Sequence, residues 1–288
     1  MQSASEYVYI VRPPRLRAGD QVRLVSPTGS PQRADVERTT QWLEGLGLKV
    51  SVGQHTLDAR SAEERIGDID EALRDVSIKA IIAVGGGDYA HRIADRLDFA
   101  TAAHLPTLLV ALRDCTILHL AFWERAGLSG IYGGPDRSFV AAAFDAEPTV
   151  LHREPDSHTA ELTTTGRATG VLLGGDQEQI ATAAGWILPS LHQAILLLEA
   201  RSLSATQIDR QLTMLERTGL LKGVSGVALG RYVDCEPGPV LEVLRDRLGP
   251  LNVPILGGLP TGQGAIPIGT PAVLDADAGT LTIEPAVT

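Results

Sequence analysis

The chain has 288 residues, of which 44% are hydrophobic and 21% charged, and a formal net charge of −10. That length holds one large domain or two modest ones, and an acidic chain without a basic block argues against nucleic acid or an anionic membrane surface as partner. No run approaches the roughly 18 apolar residues of a membrane span, the N-terminal segment lacks the basic start and apolar core of a secretory signal, and Cys115 and Cys235 are too few for a disulfide scaffold or a structural zinc site; a cytoplasmic protein without metal or cofactor is expected.

Gln21–Pro27 (QVRLVSP) alternates apolar and polar residues and ends in the turn PTGSP, the pattern of a strand. A helix follows with Val36, Leu43 and Leu46 on one face, and Gly47 supplies a left-handed stop before the strand LKVSV. Ser61-Ala-Glu-Glu64 fits a capping box, after which Ile66, Ile69 and Leu73 recur at helical spacing. Lys79–Val84 (KAIIAV) and PTLLVAL are short continuous apolar runs, as in strands buried on both faces. The first runs into GGGDY; the second turns sharply at Arg113 into a helix over Cys115–Arg125. Strands alternating with helices predict a mainly parallel sheet with right-handed crossovers. Such sheets carry their sites at the carboxyl ends of the strands, so GGGDY and Arg113 belong on one edge.

Residues 144–170 are polar, acidic and rich in Thr and Pro, which reads as a linker between an N-terminal α/β domain (1–143) and a β-rich C-terminal domain (171–288). The second half brings GVLLGGD, the apolar strand HQAILLLEA, a helix over SATQIDRQLTMLERTG and the strand VSGVALGRYV. A helix around Leu241–Leu248 and the stretch VPILGGLPTGQG follow. Two β runs joined at an Asp-Ala-Gly turn close the chain.

Three glycines after a buried strand let backbone N–H groups approach an anion closely; the same residues also suit a tight strand-to-helix turn with no ligand. GGGDY is neither the G-x-G-x-x-G dinucleotide pattern nor a Walker A loop. Cys115, in the first turn of its helix, could have its thiol activated by the helix dipole, but it turns toward the sheet among core residues and reads as a small buried hydrophobe. His119 lies nearly two turns along that helix and reads as a packed histidine. His91 can approach the cleft rim or sit solvated.

In order and spacing, RPPRLRAGDQVRLVSPTGS, the Gly-Gly after the third strand, the strand-elbow-helix, GVLLGGD, LLLEAR, IDRQLTMLERTGLLKGVSGVALGR and GLPTGQG resemble the LD-carboxypeptidases, a serine-peptidase family that includes the microcin C immunity peptidases. The resemblance implies an N-terminal Rossmann-like domain, a β-rich C-terminal domain, a site in the cleft between them and a homodimer. It also implies cleavage, by a Ser-His-Glu triad, of an amide next to a free carboxylate. Where the family elbow reads Gly-Tyr-Ser-Asp, this chain reads Ala111-Leu-Arg-Asp114, and where the family has Gly-His-Gly it has Gln263. Glu199 in LLLEA matches the triad glutamate, and Gly86 and Gly87 match the oxyanion cradle. Gly85 and Asp88 stand in place of a family arginine and tyrosine.

A guanidinium has no nucleophilic lone pair at working pH, and an amide does not titrate near neutrality. Acyl-enzyme chemistry needs nucleophile and base together, so serine-peptidase activity is not expected. Two readings of different class follow. In one, Glu199 moves protons and Arg113 holds an anion in a repurposed enzyme for cyclisation, elimination or isomerisation of a small acyl or peptide-like molecule, with Gly86, Gly87, Asp114 and Gln263 as ligand contacts and a role in specialised metabolism. In the other, the protein binds a peptide or toxin without turnover, Arg113 and Glu199 pairing across the cleft. A paralogue with no retained ligand and a residual LD-carboxypeptidase-type hydrolase are the remaining possibilities.

Overall fold

The alternation read in the first half folds as a parallel sheet. In the computed structural model, which describes residues 9–288 apart from Arg60 and Gln263, β1 (Gln21–Val25), α1 (Arg33–Gly45), β2 (Lys49–Val52), α2 (Ala62–Arg74) and β3 (Ile78–Ala83) follow in turn. They continue with α3 (Phe99–His104), β4 (Leu108–Ala111), α4 (Thr116–Ala126), β5 (Gly130–Tyr132) and the short α5 (Arg137–Val140). Ser61 caps α2 by the reciprocal bonds of a capping box. The run KAIIAV forms β3 and is largely buried, and β4 is buried at every residue, as a strand covered on both faces must be.

The second half contains β6 (Thr149–His152), β7 (Arg167–Asp176), α6 (Gln177–Ala183), β8 (Ala194–Arg201), α7 (Ala205–Arg217) and β9 (Gly226–Val233). After these come α8 (Pro237–Leu248), β10 (Ile255–Leu256), β11 (Ile266–Ile268), β12 (Pro271–Asp275) and β13 (Thr280–Ile283). The first sheet has six strands in the order β2-β1-β3-β4-β5-β11, all parallel except β11. The second has seven, β10-β9-β8-β7-β12-β13-β6; its first four are parallel and the rest antiparallel.

Two segments differ from the sequence reading. Residues 144–170, expected as a linker, contain β6, which pairs with β13 as the edge of the second sheet, and the start of β7. Only Thr149 and Leu151 of β6 are half-buried, so a four-residue strand among Thr and Pro carries no pattern until its partner, far along the chain, arrives. The closing stretch forms three strands rather than two: β12 and β13 make the expected hairpin, while β11 crosses over and pairs antiparallel with β5 in the first sheet. No helix among the described residues is long and apolar enough to cross a membrane.

The two sheets share a core. Cys115, Ile117 and Leu118 at the start of α4 pack in one cluster with Leu173 of β7, Ile180 of α6 and Leu196 of β8. The contact is close because Gly175 has φ 133°, and a Cβ there would lie 2.7 Å from Thr116 Oγ1 and 2.9 Å from the Tyr132 ring. The carboxyl ends of β1, β3 and β4 therefore meet those of β7, β8 and β9.

Candidate active site between the two sheets

The turn after β4 holds Arg113 in the left-handed region at φ 56°, the one residue of the corner with positive φ. Backbone of this kind is strained for a side-chain-bearing residue and is held only by its surroundings. Its N–H donates to the Tyr132 hydroxyl at 3.3 Å, and that hydroxyl donates to Glu199 Oε1 at 2.5 Å. Tyr132 is wholly buried at the end of β5, and Glu199 is 6% exposed near the end of β8. Burial first, then the Glu199 charge, push the phenol well above its ordinary pKa, so it remains a proton-bearing donor. One hydroxyl thus ties the elbow of the first sheet to the carboxylate of the second.

Two cavities open on this edge. A smaller one of about 180 Å³ is lined by Arg113, Asp176, Glu199, Arg201, Arg231 and Gly262, among others. A larger one of about 460 Å³ is lined by Gly85, Gly86, Gly87, Asp88, Asp114, Glu178 and neighbours. Arg113, Asp176 and Arg201 border both, so the two are lobes of one cleft. A surface groove of about 1020 Å³ along residues 150–159 adjoins the smaller lobe through Arg231 and Val233.

The glycine run is built against the loop after β1. A Cβ on Gly29 would collide with the Gly86 carbonyl oxygen, and a Cβ on Gly87, at φ 153°, with that of Thr28. A Cβ on Gly86 would meet nothing within 4 Å. Arg65, only 8% exposed, braces the arrangement by donating to the Ser26 and Gly29 carbonyls at 2.6 Å each and to Ala59 at 3.1 Å.

Two carboxylates of the cleft are poised near neutrality. Asp114 is pushed up to about 6 by burial, opposed by the Ala90 N–H that donates to its Oδ2 at 3.0 Å; Asp88 and Glu178 raise it and His91 lowers it. Asp176 is also pushed up to about 6, by burial and by the Glu199 and Glu178 charges, against the Gln179 and Glu178 N–H groups that it caps at the start of α6. Its own N–H donates to Thr116 Oγ1 at 2.9 Å.

Arg113, Glu199, Gly86, Gly87 and Asp114 thus come together along one cleft. Gln263 lies outside the described residues. No ion pair joins Arg113 to Glu199 among the described residues; the glutamate bonds Tyr132 instead. Cys115 is 2% exposed, and burial pushes its thiol far above the usual range. His119 is buried, lowered to about 4 by burial, with Nε2 on the Ala111 carbonyl at 3.1 Å. His91 is exposed in a short turn and touches the cleft only through its charge on Asp114. Asp176, Tyr132, Arg201 and Glu178 were missed from the sequence. Asp176 had a signal, since it ends the strand VLLGGD as Arg113 follows LLVAL; Tyr132 had none, because its partner is 67 residues away.

Residues 22–133 match the LD-carboxypeptidase N-terminal domain and residues 169–274 the LD-carboxypeptidase C-terminal domain. The chain belongs to the LD-carboxypeptidase family. The "Putative carboxypeptidase" of Streptomyces coelicolor is 35% identical over 304 residues, covering 96% of this chain and 96% of that protein. The "Probable murein peptide carboxypeptidase" of Bacillus subtilis is 28% identical, covering 96% and 95%. The solved structure of MccF in complex with glutamyl sulfamoyl guanosine superposes with a TM-score of 0.83 at 19% identity, covering 96% of this chain and 99% of the other. That of the muramoyltetrapeptide carboxypeptidase from Oxalobacter formigenes does so at 0.80 and 23%, covering 93% and 100%. Both solved structures share the fold of this chain.

Proposed function

We propose that this LD-carboxypeptidase-family protein takes a small acyl or peptide-like molecule with a free carboxylate into the cleft and acts on it without a serine acyl-enzyme. Arg113 stands in the nucleophile's place and holds the carboxylate bidentately. Glu199 is the acid/base, Gly86 and Gly87 supply backbone donors, and Asp114 and Gln263 are the further residues assigned to ligand binding. The observation that carries this reading is the corner itself: its one left-handed residue bears a guanidinium that borders both lobes. The thiol two residues on is sealed in the core. Proton-transfer chemistry such as cyclisation, elimination or isomerisation suits a carboxylate, a fixed cation and backbone donors. A cytoplasmic homodimer serving specialised metabolism belongs to the same reading, and sedimentation checks the dimer.

Binding without turnover is the second reading, favoured by the bond that already engages Glu199 with Tyr132. Incubation with LD-linked muropeptides and acyl-adenylate analogues separates the cases. No amide cleavage is expected from the wild type. Cleavage that disappears in Glu199→Gln would return the chain to the peptidase chemistry of its family and overturn the proposal.

A further inference from the structure

We infer that the cleft is polarised to take a zwitterion, the ligand's carboxylate seated among the arginines of the smaller lobe and an amine of the same molecule in the larger lobe. This rests on the reading above and names its ligand class. The smaller lobe brings Arg113, Arg201 and Arg231 together. Arg201 is paired with Asp234 at 3.0 Å and Arg231 with Glu154 at 2.8 Å, whereas Arg113 makes no ion pair among the described residues. It is the cation left to meet a ligand anion. The larger lobe is lined by four carboxylates, Asp88, Asp114, Asp176 and Glu178, with Arg113 and Arg201 only on the border that it shares with the smaller lobe. On the arginine side the carboxylates are Asp176, on that same border, and Glu199, engaged by Tyr132.

An acidic wall alone would say little, since exposed carboxylates are content in water. Asp114, however, is only 9% exposed, and its Oδ1 is buried without a hydrogen-bond partner, while Oδ2 holds the Ala90 N–H. A buried carboxylate oxygen without a donor is costly. Of the charges around it, Asp88 and Glu178 repel it, and His91, which favours its ionised form, donates no hydrogen bond to Oδ1. An ammonium brings three donors and a charge that relieves the crowding. No group of three or more acidic, His or Cys side chains among the described residues is disposed to hold a metal ion, which favours an amine over a cation such as Mg²⁺.

The test uses ε-aminocaproate, its N-acetyl form, which keeps only the carboxylate, and its amide, which keeps only the amine. Affinities are read from amide NMR shifts of the intact chain. The zwitterion should bind about tenfold or more tightly than either capped form, the effect of one charge-assisted hydrogen bond. Asp88→Asn with Glu178→Gln, both exposed positions, should erase that preference, and so should Asp114→Asn, which retains an acceptor for Ala90. Arg113→Ala should weaken both carboxylate-bearing probes. Equal affinity of the zwitterion and the acetyl form, both dependent on Arg113, would overturn the polarised cleft and leave carboxylate capture standing. Binding indifferent to Arg113, or no binding by either carboxylate at millimolar concentration, would sink carboxylate capture and the zwitterion together. A stronger response to Mg²⁺ than to the amine at the same amides would replace the amine by a metal.

Discussion

Gly86 and Gly87 separate two tasks of a glycine run. Gly87 lies against the Thr28 carbonyl at positive φ, so Gly87→Ala should cost about 2 kcal/mol or more in denaturant unfolding. Gly86 borders open space in the cleft, so Gly86→Ala should leave stability within about 1 kcal/mol of the wild type yet obstruct the larger lobe; unchanged ligand affinity would show that the lobe is not used. Asp114 yields a signed pH dependence. Its folded pKa of about 6 lies above the ordinary 3.8, so the folded state binds the extra proton and stability falls as pH rises between those values. The groups acting on it are Asp88, Glu178, His91 and the Ala90 N–H, with Arg113 next to it in the chain. Asp114→Asn should therefore be more stable than wild type at pH 7.5, by about 1–3 kcal/mol, and the difference should vanish near pH 4. An unchanged or lower melting temperature at pH 7.5 would refute the crowding argument.

At the scale of elements, the site hangs on two braces. Arg65 of α2 fastens the loop after β1 with two bonds, to the Ser26 and Gly29 carbonyls, and holds the Ala59 carbonyl ahead of its own helix with a third; Gly86 and Gly87 pack on the β1 loop. Arg65→Met should cost about 2–4 kcal/mol, because it deletes charge-assisted bonds and leaves buried carbonyls unpaired. It should also speed amide exchange at residues 85–88; normal exchange there would show that the loop holds itself. Tyr132 is the second brace, joining β5 to β8. Tyr132→Phe strands Glu199 Oε1 and the Arg113 N–H, so a loss of about 1–3 kcal/mol is expected in chemical denaturation. A neutral effect would mean that water replaces the hydroxyl without loss.

For the molecule as a whole, the two domains read from composition are interlaced. β11 completes the first sheet from late in the chain. Ala286 and Val287 pack with Leu16, Val22 and Leu24, and the backbones of Thr288 and Pro13 are bonded at 3.0 Å. A fragment of residues 1–143 lacks both pieces, so it should show no cooperative thermal transition and little near-ultraviolet dichroism, while the intact chain unfolds in one calorimetric step. A folded fragment would prove the first sheet self-sufficient. Arg113→Ser with Gln263→His restores the two triad residue types that this chain lacks, Glu199 being the third. Weak hydrolysis of an LD-amide is expected only in that double variant, since serine without a base is nearly inert; equal rates in either single variant would break the assignment of one position.

Much of this was legible in order along the chain. Continuous apolar runs at 79–84 and 108–112 became buried parallel strands, Ser61 and Glu64 capped α2, and the carboxyl-edge rule put GGGDY and Arg113 on one edge. Those features depend on local periodicity and on the chirality of strand crossovers, which a sequence carries in itself. Tertiary structure alone decided the rest. β6 and β11 are strands only because distant partners supply their hydrogen bonds. Tyr132 is a site residue only because Gly175 lets β7 come close enough for its hydroxyl to reach Glu199. The raised carboxylates of Asp114 and Asp176 likewise come from burial and crowding by charges brought together from other elements, and desolvation is a property of the folded surroundings, not of the residue.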